Sequence, residues 1–251
     1  MTDSYCVLDL ETTGLDPKRD RIIEIGAVRI RNGVVTDTFR SFVNPAGKLE
    51  DRIVALTGIR DTDLADAPYI EDVLDDLLAF LGDDVLVGHS VLFDFSFVKR
   101  AAVNRRRVFA KQAIDTLKIS RKYLQALPSR ALGALCEHYG IHYRPHRALD
   151  DAIATHELLQ RLKQEFETGE TAADFEPSEL VYQVKRESPA SPRQIERLHR
   201  VAGEHGVALS MDPTHMTRNE VSRLTDLILN GSLRAENPDD VQSCPSSGNE
   251  G

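Results

Sequence analysis

Hydrophobic and polar positions follow two periods along this chain. Residues 5–10 (YCVLDL), 21–30 (RIIEIGAVRI) and 34–43 (VVTDTFRSFV) have the apolar, β-branched content of strands. The second and third meet at Arg31-Asn32-Gly33, where Asn-Gly predicts a tight hairpin. Over 70–81, Val73, Leu74, Leu77, Leu78 and Leu81 recur at helical spacing. DVLVGH (84–89) reads as a short buried strand, 91–104 as a helix and IDTLK as another short strand. Further helices are predicted near 116–125, 130–139 and 150–166. Three strands in a meander, then strands alternating with helices, predict an α/β domain with a mixed sheet over residues 1–168.

Residues 169–190 lose clear periodicity and are expected to form a linker. A small helical module is predicted at 191–234. Ser191-Pro192-Arg193-Gln194 joins an N-cap serine, a proline at the first helical position and a capping-box glutamine. Ile195, Leu198, Val201 and Ala202 form its apolar stripe. Thr217-Arg218-Asn219-Glu220 is a second capping box, followed by Val221, Leu224, Leu227 and Ile228. Arg193, Arg197 and Arg200 fall near one helical face, where nucleic-acid contact and ordinary surface charge are both open readings. The tail, 235–251, has the composition of a disordered segment.

One strand breaks its own pattern. In VLDLETTG (7–14), Asp9 and Glu11 interrupt the apolar run and, being two apart, project from the same face about 7 Å apart at the backbone. Two like charges at the edge of a core are costly unless something neutralises them. A divalent cation with hard oxygen ligands would do so. Asp94, in GHSVLFDFSFV, sits in equally apolar company. In HRALDDAIATHELLQRL, helix phase puts Asp151 on a stripe with Thr155, Leu158 and Leu162, whereas Asp150 aligns with Glu157 and Arg161. Asp151 is therefore the inward acid. His146 lies five residues earlier in a proline-containing approach, and a neutral imidazole beside such a cluster can take a proton from water. Four acids and a histidine make a set suited to phosphodiester hydrolysis.

The net charge of −9 over 251 residues weighs mildly against a sequence-independent nucleic-acid coat. Most of that acidity lies in the expected linker and tail, and residues 1–168 carry only −3. The basic run Lys99, Arg100, Arg105, Arg106 and Arg107 reads equally as a guide for a phosphate backbone or as a solvated helix end. Three cysteines without CxxC spacing suggest neither a disulfide framework nor a zinc site. With no signal-peptide pattern and no apolar run near the length of a membrane span, a cytoplasmic protein is expected.

DLETTG, GHSVLFDFSFV and HRALDDA occur in the order and approximate spacing of the three motifs of the DEDDh (DnaQ-like) 3′–5′ exonucleases. The chain resembles that family, and its polymerase III epsilon-type members in particular, over residues 4–166. The resemblance implies a ribonuclease H-like fold. It further implies that Asp9, Glu11, Asp94 and Asp151 hold two Mg²⁺ or Mn²⁺ ions and that His146 is the general base. Thr12 would receive the 3′-terminal nucleotide, and His89 and Phe93 would line the cleft. Ser90 departs from the pattern, since many relatives carry Asn there. The implied activity is metal-dependent removal of nucleoside monophosphates from the 3′ end of DNA, in proofreading, repair or end trimming, with a polymerase or repair complex as partner. RNA is the alternative substrate. A silent nucleic-acid-binding adaptor is the reading from another class, and the intact set of charged residues argues against it.

Overall fold

The computed structural model describes residues 4–233 and divides into two compact units, Met1–Arg186 and Glu187–Gly251. The first is built on a six-stranded sheet of order β3-β2-β1-β4-β5-β6. Its meander comprises β1 (Tyr5–Thr12), β2 (Ile22–Arg31) and β3 (Val34–Phe42), all antiparallel, with Asn32 and Gly33 both at positive φ in the turn the sequence predicts. Strands β4 (Leu86–Gly88) and β5 (Gln112–Asp115) continue parallel to β1. This is a mixed sheet of the ribonuclease H-like kind.

Helices cover both faces because the central strands alternate two apolar sets. On one face Cys6, Leu8 and Leu10 pack with α3 (Ile70–Leu81) and α4 (Leu92–Asn104) through Leu74, Leu77, Leu81, Phe95 and Val98. On the other, Tyr5, Val7, Val28 and Ile30 pack with α5 (Thr116–Tyr123), α6 (Leu132–Tyr139) and α7 (Ala148–Phe166). Two short helices that periodicity did not predict, α1 (Asp51–Thr57) and α2 (Asp61–Leu64), close a satellite core around Ile23, Ile53, Ile59 and Leu64. They are too short to show a helical repeat in sequence.

The α7 side of the sheet places the site. Down β1 that face reads Tyr5, Val7, Asp9, Glu11, and Asp9 is paired with Gly26 and Glu11 with Glu24 of β2. Both strands thus turn from apolar to charged toward the same end. A Cβ on Gly26 would lie 2.1 Å from the carbonyl carbon of Ala148 and 2.2 Å from the nitrogen of Leu149. Only a residue without a side chain lets the first turn of α7 lie against the sheet here.

The first part of the expected linker at 169–190 is structured and belongs to the first unit. A 3₁₀ turn at Ala172–Phe175 buries Phe175, whose ring stacks with Tyr123 at 6.2 Å, and Tyr123 stacks in turn on Phe166 at 4.9 Å. Then β6 (Ser178–Glu179) pairs antiparallel with β5, and the Leu180 amide donates to the Lys111 carbonyl at 2.9 Å. The first unit therefore runs past residue 168. Its last segment docks through Phe175, Leu180 and Tyr182, too few apolar residues to establish a period in the sequence.

In the second unit, α8 (Pro192–Glu204) and α9 (Arg218–Leu229) begin at the capping boxes read from sequence. Leu198, Val201, Ala202, Met216, Val221 and Ile228 form its core. The tail, 235–251, lies outside the described residues. Among the described residues no helix is long and apolar enough to cross a membrane.

Phe175→Ala is expected to destabilise the first unit by about 3–5 kcal/mol, the usual cost of deleting a buried aromatic ring. Val181→Ala, at an exposed position of the same segment, should change stability by less than about 0.5 kcal/mol. Urea midpoints with unchanged m-values would check both.

Candidate active site

Asp9 and Glu11 reach the site from the end of β1, and Asp151 reaches it from the first turn of α7. Each offers one carboxylate oxygen, and the three oxygens lie within 4.8 Å of one another. Asp94, on the first turn of α4, approaches from the opposite face of the sheet and is only 4 % exposed. Its Oδ1 accepts the Leu10 amide at 3.0 Å, which fixes the carboxylate beside the strand end. Asp151 Oδ2 accepts the Arg147 amide at 2.9 Å. Asp150 is half-buried, less withdrawn than Asp151 but not the solvent-facing residue that helix phase predicts.

These four acids line one cavity of about 290 Å³ together with Leu10, Leu15, His89, Ser90, Phe93, Leu132 and His146. Thr12 does not line it, and its hydroxyl donates to the Gly14 carbonyl at 2.7 Å. Phe93 is half-buried and packs on Phe97 at 5.0 Å, while Phe95 and Phe97 belong to the core.

The two histidines at the cavity differ in kind. Burial pushes the His89 pKa down, with the Arg130 carbonyl and the Asp115 charge opposing it. Its Nε2–H donates to the Arg130 carbonyl (2.8 Å), and Nδ1 shares a hydrogen bond with the Thr116 hydroxyl (2.9 Å), which also lies 3.2 Å from the Gly88 carbonyl. With both nitrogens engaged, His89 presents only its ring to the cavity. His146 is exposed and sits at φ +60°, a left-handed conformation that costs a residue with a Cβ about 1–2 kcal/mol. Ser90 is also left-handed, at φ +72°, with its amide donating to Asp115 Oδ1 at 3.0 Å. That backbone explains why Asn suits the position, because Asn tolerates this region best after Gly.

Like charge and withdrawal from water act together on the acids. Desolvation, then Asp94, Asp151 and other acids, holds Asp9 well above the ordinary carboxylate range. Glu11 is pushed up to about 7, by desolvation first and by Asp151 and Glu24 next. Desolvation raises Asp94 too, and raises Asp151 to about 6 against the opposing pull of the Arg147 amide and of His146. All four oxygen-donor groups suit a hard dication, which would supply the missing positive charge.

Residues 6–159 match the family model described as Exonuclease. The chain belongs to the exonuclease family. It is 40% identical over 164 residues to the PolC-type DNA polymerase III of Caldanaerobacter subterraneus subsp. tengcongensis, an alignment covering 65% of this chain and 12% of that protein. It therefore spans a small part of the PolC-type relatives. To the DNA polymerase III subunit epsilon of Aquifex aeolicus it is 35% identical over 164 residues, covering 64% of this chain and 81% of the relative. Among solved structures it is similar to exonuclease X in complex with 5′-overhanging duplex DNA, with a TM-score of 0.52 and 27% identity over 68% of this chain and 98% of the other. The DEDDh-type resemblance read from the three motifs agrees with these matches.

Two features of this exonuclease escaped the sequence reading. Glu24 is fully buried behind the acids, hidden in RIIEIGAVRI because the run reads as a continuous apolar strand. Leu15, 85 % exposed, stands at the cavity mouth, and an isolated Leu after a turn carries no signal. In the basic run, Lys99 donates to the Phe109 carbonyl, the buried Arg100 to the Lys18 carbonyl, and Arg107 forms a two-bond fork with Asp75. Lys99 and Arg100 are thus engaged by the fold, while Arg105, Arg106 and Arg107 are exposed.

A raised carboxylate pKa makes the folded exonuclease bind more protons than the unfolded chain between the two values, so stability falls as pH rises through that window. For Glu11 the window runs from 4.5 to about 7. In EDTA, melting temperature is expected to be higher near pH 5 than near pH 8, and Glu11→Gln should flatten this slope. Excess Mg²⁺ should raise the melting temperature most at the alkaline end. Thermal scans across pH would check all three outcomes.

Proposed function

We propose that this exonuclease hydrolyses phosphodiester bonds from the 3′ end of DNA, releasing nucleoside monophosphates. The observation that carries the reading is the meeting of Asp9, Glu11, Asp94, Asp151 and His146 at one cavity. In this reading the four carboxylates hold two divalent cations, Mg²⁺ or Mn²⁺. When bound, such ions polarise a phosphodiester and favour deprotonation of water.

The residues of the chain do the rest. His146 is at the cavity with an exposed ring, and it accepts the proton of the attacking water. The water oxygen bonds to phosphorus, the bond from phosphorus to the O3′ of the preceding nucleotide breaks, and the shortened strand keeps a 3′-hydroxyl. His89 cannot share the proton-accepting role because Nδ1 and Nε2 are both committed. Phe93 and the exposed Leu15 offer apolar surface to the terminal bases. Thr12 is kept in the substrate-binding set through its main chain, since its hydroxyl is given to Gly14.

DNA is favoured over RNA by the polymerase III relatives and by the DNA-bound exonuclease X structure. The same relatives favour a DNA polymerase as partner. A time course on 5′-labelled single-stranded DNA and RNA of matched sequence, with Mg²⁺, Mn²⁺ or EDTA, tests the proposal. A ladder shortening from the 3′ end and abolished by EDTA is expected. His146→Ala should lower kcat by about 10²–10⁴-fold, the usual contribution of a positioned base. Folded protein that cuts neither strand with either metal would overturn the reading and favour a binding module.

A further inference from the structure

Glu24 has no place in the chemistry proposed above and does not line the cavity, yet it is 0 % exposed near the start of β2. Buried carboxylates are rare unless paired. Oε1 accepts from Arg147 Nη2 at 2.9 Å and from Arg40 Nε at 3.0 Å. Oε2 accepts from Arg147 Nε at 3.1 Å and faces the Ala148 amide at 3.4 Å. Arg147 thus grips Glu24 with a two-bond fork, the strongest geometry open to this pair. The guanidinium carbons of Arg40 and Arg147 each lie 5.5 Å from the centroid of Phe42, so an aromatic face backs the arrangement.

The next residue toward the N-terminus is His146, at φ +60°. Left-handed backbone at a residue with a Cβ persists only where its neighbours over-determine it. Here the neighbours are Pro145 on one side and the clamped Arg147 on the other. The Arg147 amide is itself tied to Asp151. A rigid pair of fork bonds therefore ends one peptide away from the strained residue that presents the imidazole.

From this geometry we infer that Glu24 is a positioning residue, which through Arg147 holds His146 in the conformation that brings its ring to the cavity. The inference rests on reading His146 as the proton acceptor. An ordinary core ion pair would affect how much protein folds and leave turnover per folded molecule unchanged.

Glu24→Gln, Arg147→Lys and His146→Ala, and the doubles of the first two with the third, are to be compared in the full chain by kcat and KM on single-stranded DNA. Mn²⁺ affinity and melting temperature are measured alongside. Glu24→Gln is expected to lower kcat by about 10-fold or more, since a displacement near 1 Å can cost about 10²-fold. KM should stay within about twofold, and Mn²⁺ affinity within about threefold, because the four cavity carboxylates remain. Arg147→Lys should do the same, as Lys lacks the fork, and it carries the test if Glu24→Gln fails to fold. The deciding result is the cycle. In the His146→Ala background either change should cost less than about twofold, since residues acting through one another are not additive. Additive losses, or unchanged kcat in the folded variants, would overturn the inference. If wild type cuts nothing, the functional reading falls, and the positioning role is judged from the His146 amide NMR signal. A signal that moves in Arg147→Lys supports the clamp, and an unmoved one overturns it.

Discussion

Carboxylates that repel one another meet in this protein because the first turn of α7 is pressed onto β2. Gly26 leaves no Cβ in the gap, and the backbone of Ala148 and Leu149 fills it. Beside that contact, Glu24 takes the Arg147 side chain and faces the Ala148 amide. One polar and one steric feature, two residues apart on one strand face, thus set the height and angle of the helix. Asp151 follows one turn later, and His146 immediately precedes the clamp. The apolar remainder of α7, through Leu158, Leu159 and Leu162, supplies the burial that resists the repulsion.

Repulsion itself is informative. Elevated pKa values for Asp9, Glu11, Asp94 and Asp151 all trace first to desolvation and then to one another's charge or that of neighbouring acids, with backbone amides only partly offsetting this. Compare Glu24, more deeply buried than any of them and met by two arginines. The sheet therefore carries two kinds of buried acid within one register step. One kind is matched from inside the chain, and the other faces a cavity with its charge unmet. The fold treats the first as structure and keeps the second for something that arrives from outside.

Much of this was readable from residues alone. The i, i+2 spacing of Asp9 and Glu11 forced them onto one face, and helix phase separated Asp151 from Asp150. Capping boxes located α8 and α9 to the residue. What stayed hidden depends on contacts between distant segments. Glu24 lay within a run whose apolar neighbours disguised it, and Gly26 looked like any glycine in a strand until the helix arrived 120 or so residues later. Likewise β6 and the Phe175 turn have no period to detect, because each docks by one or two side chains. The basic run in and after α4 was open to two readings, since local charge density says nothing of the internal partners that Lys99 and Arg100 find.

Asp9 and Glu11 belong to the first strand, Asp94 to the fourth helix, and Asp151 to α7, the last α-helix of the first unit, with His146 just ahead of it. A polypeptide still leaving the ribosome owns the early acids long before it owns the late ones. Until α7 has been made and has settled at Gly26, the nascent chain carries the acids of β1 and α4 without Asp151 and His146 beside them. The order of segments along the gene thus leaves the acid cluster incomplete in every copy that stops short of α7.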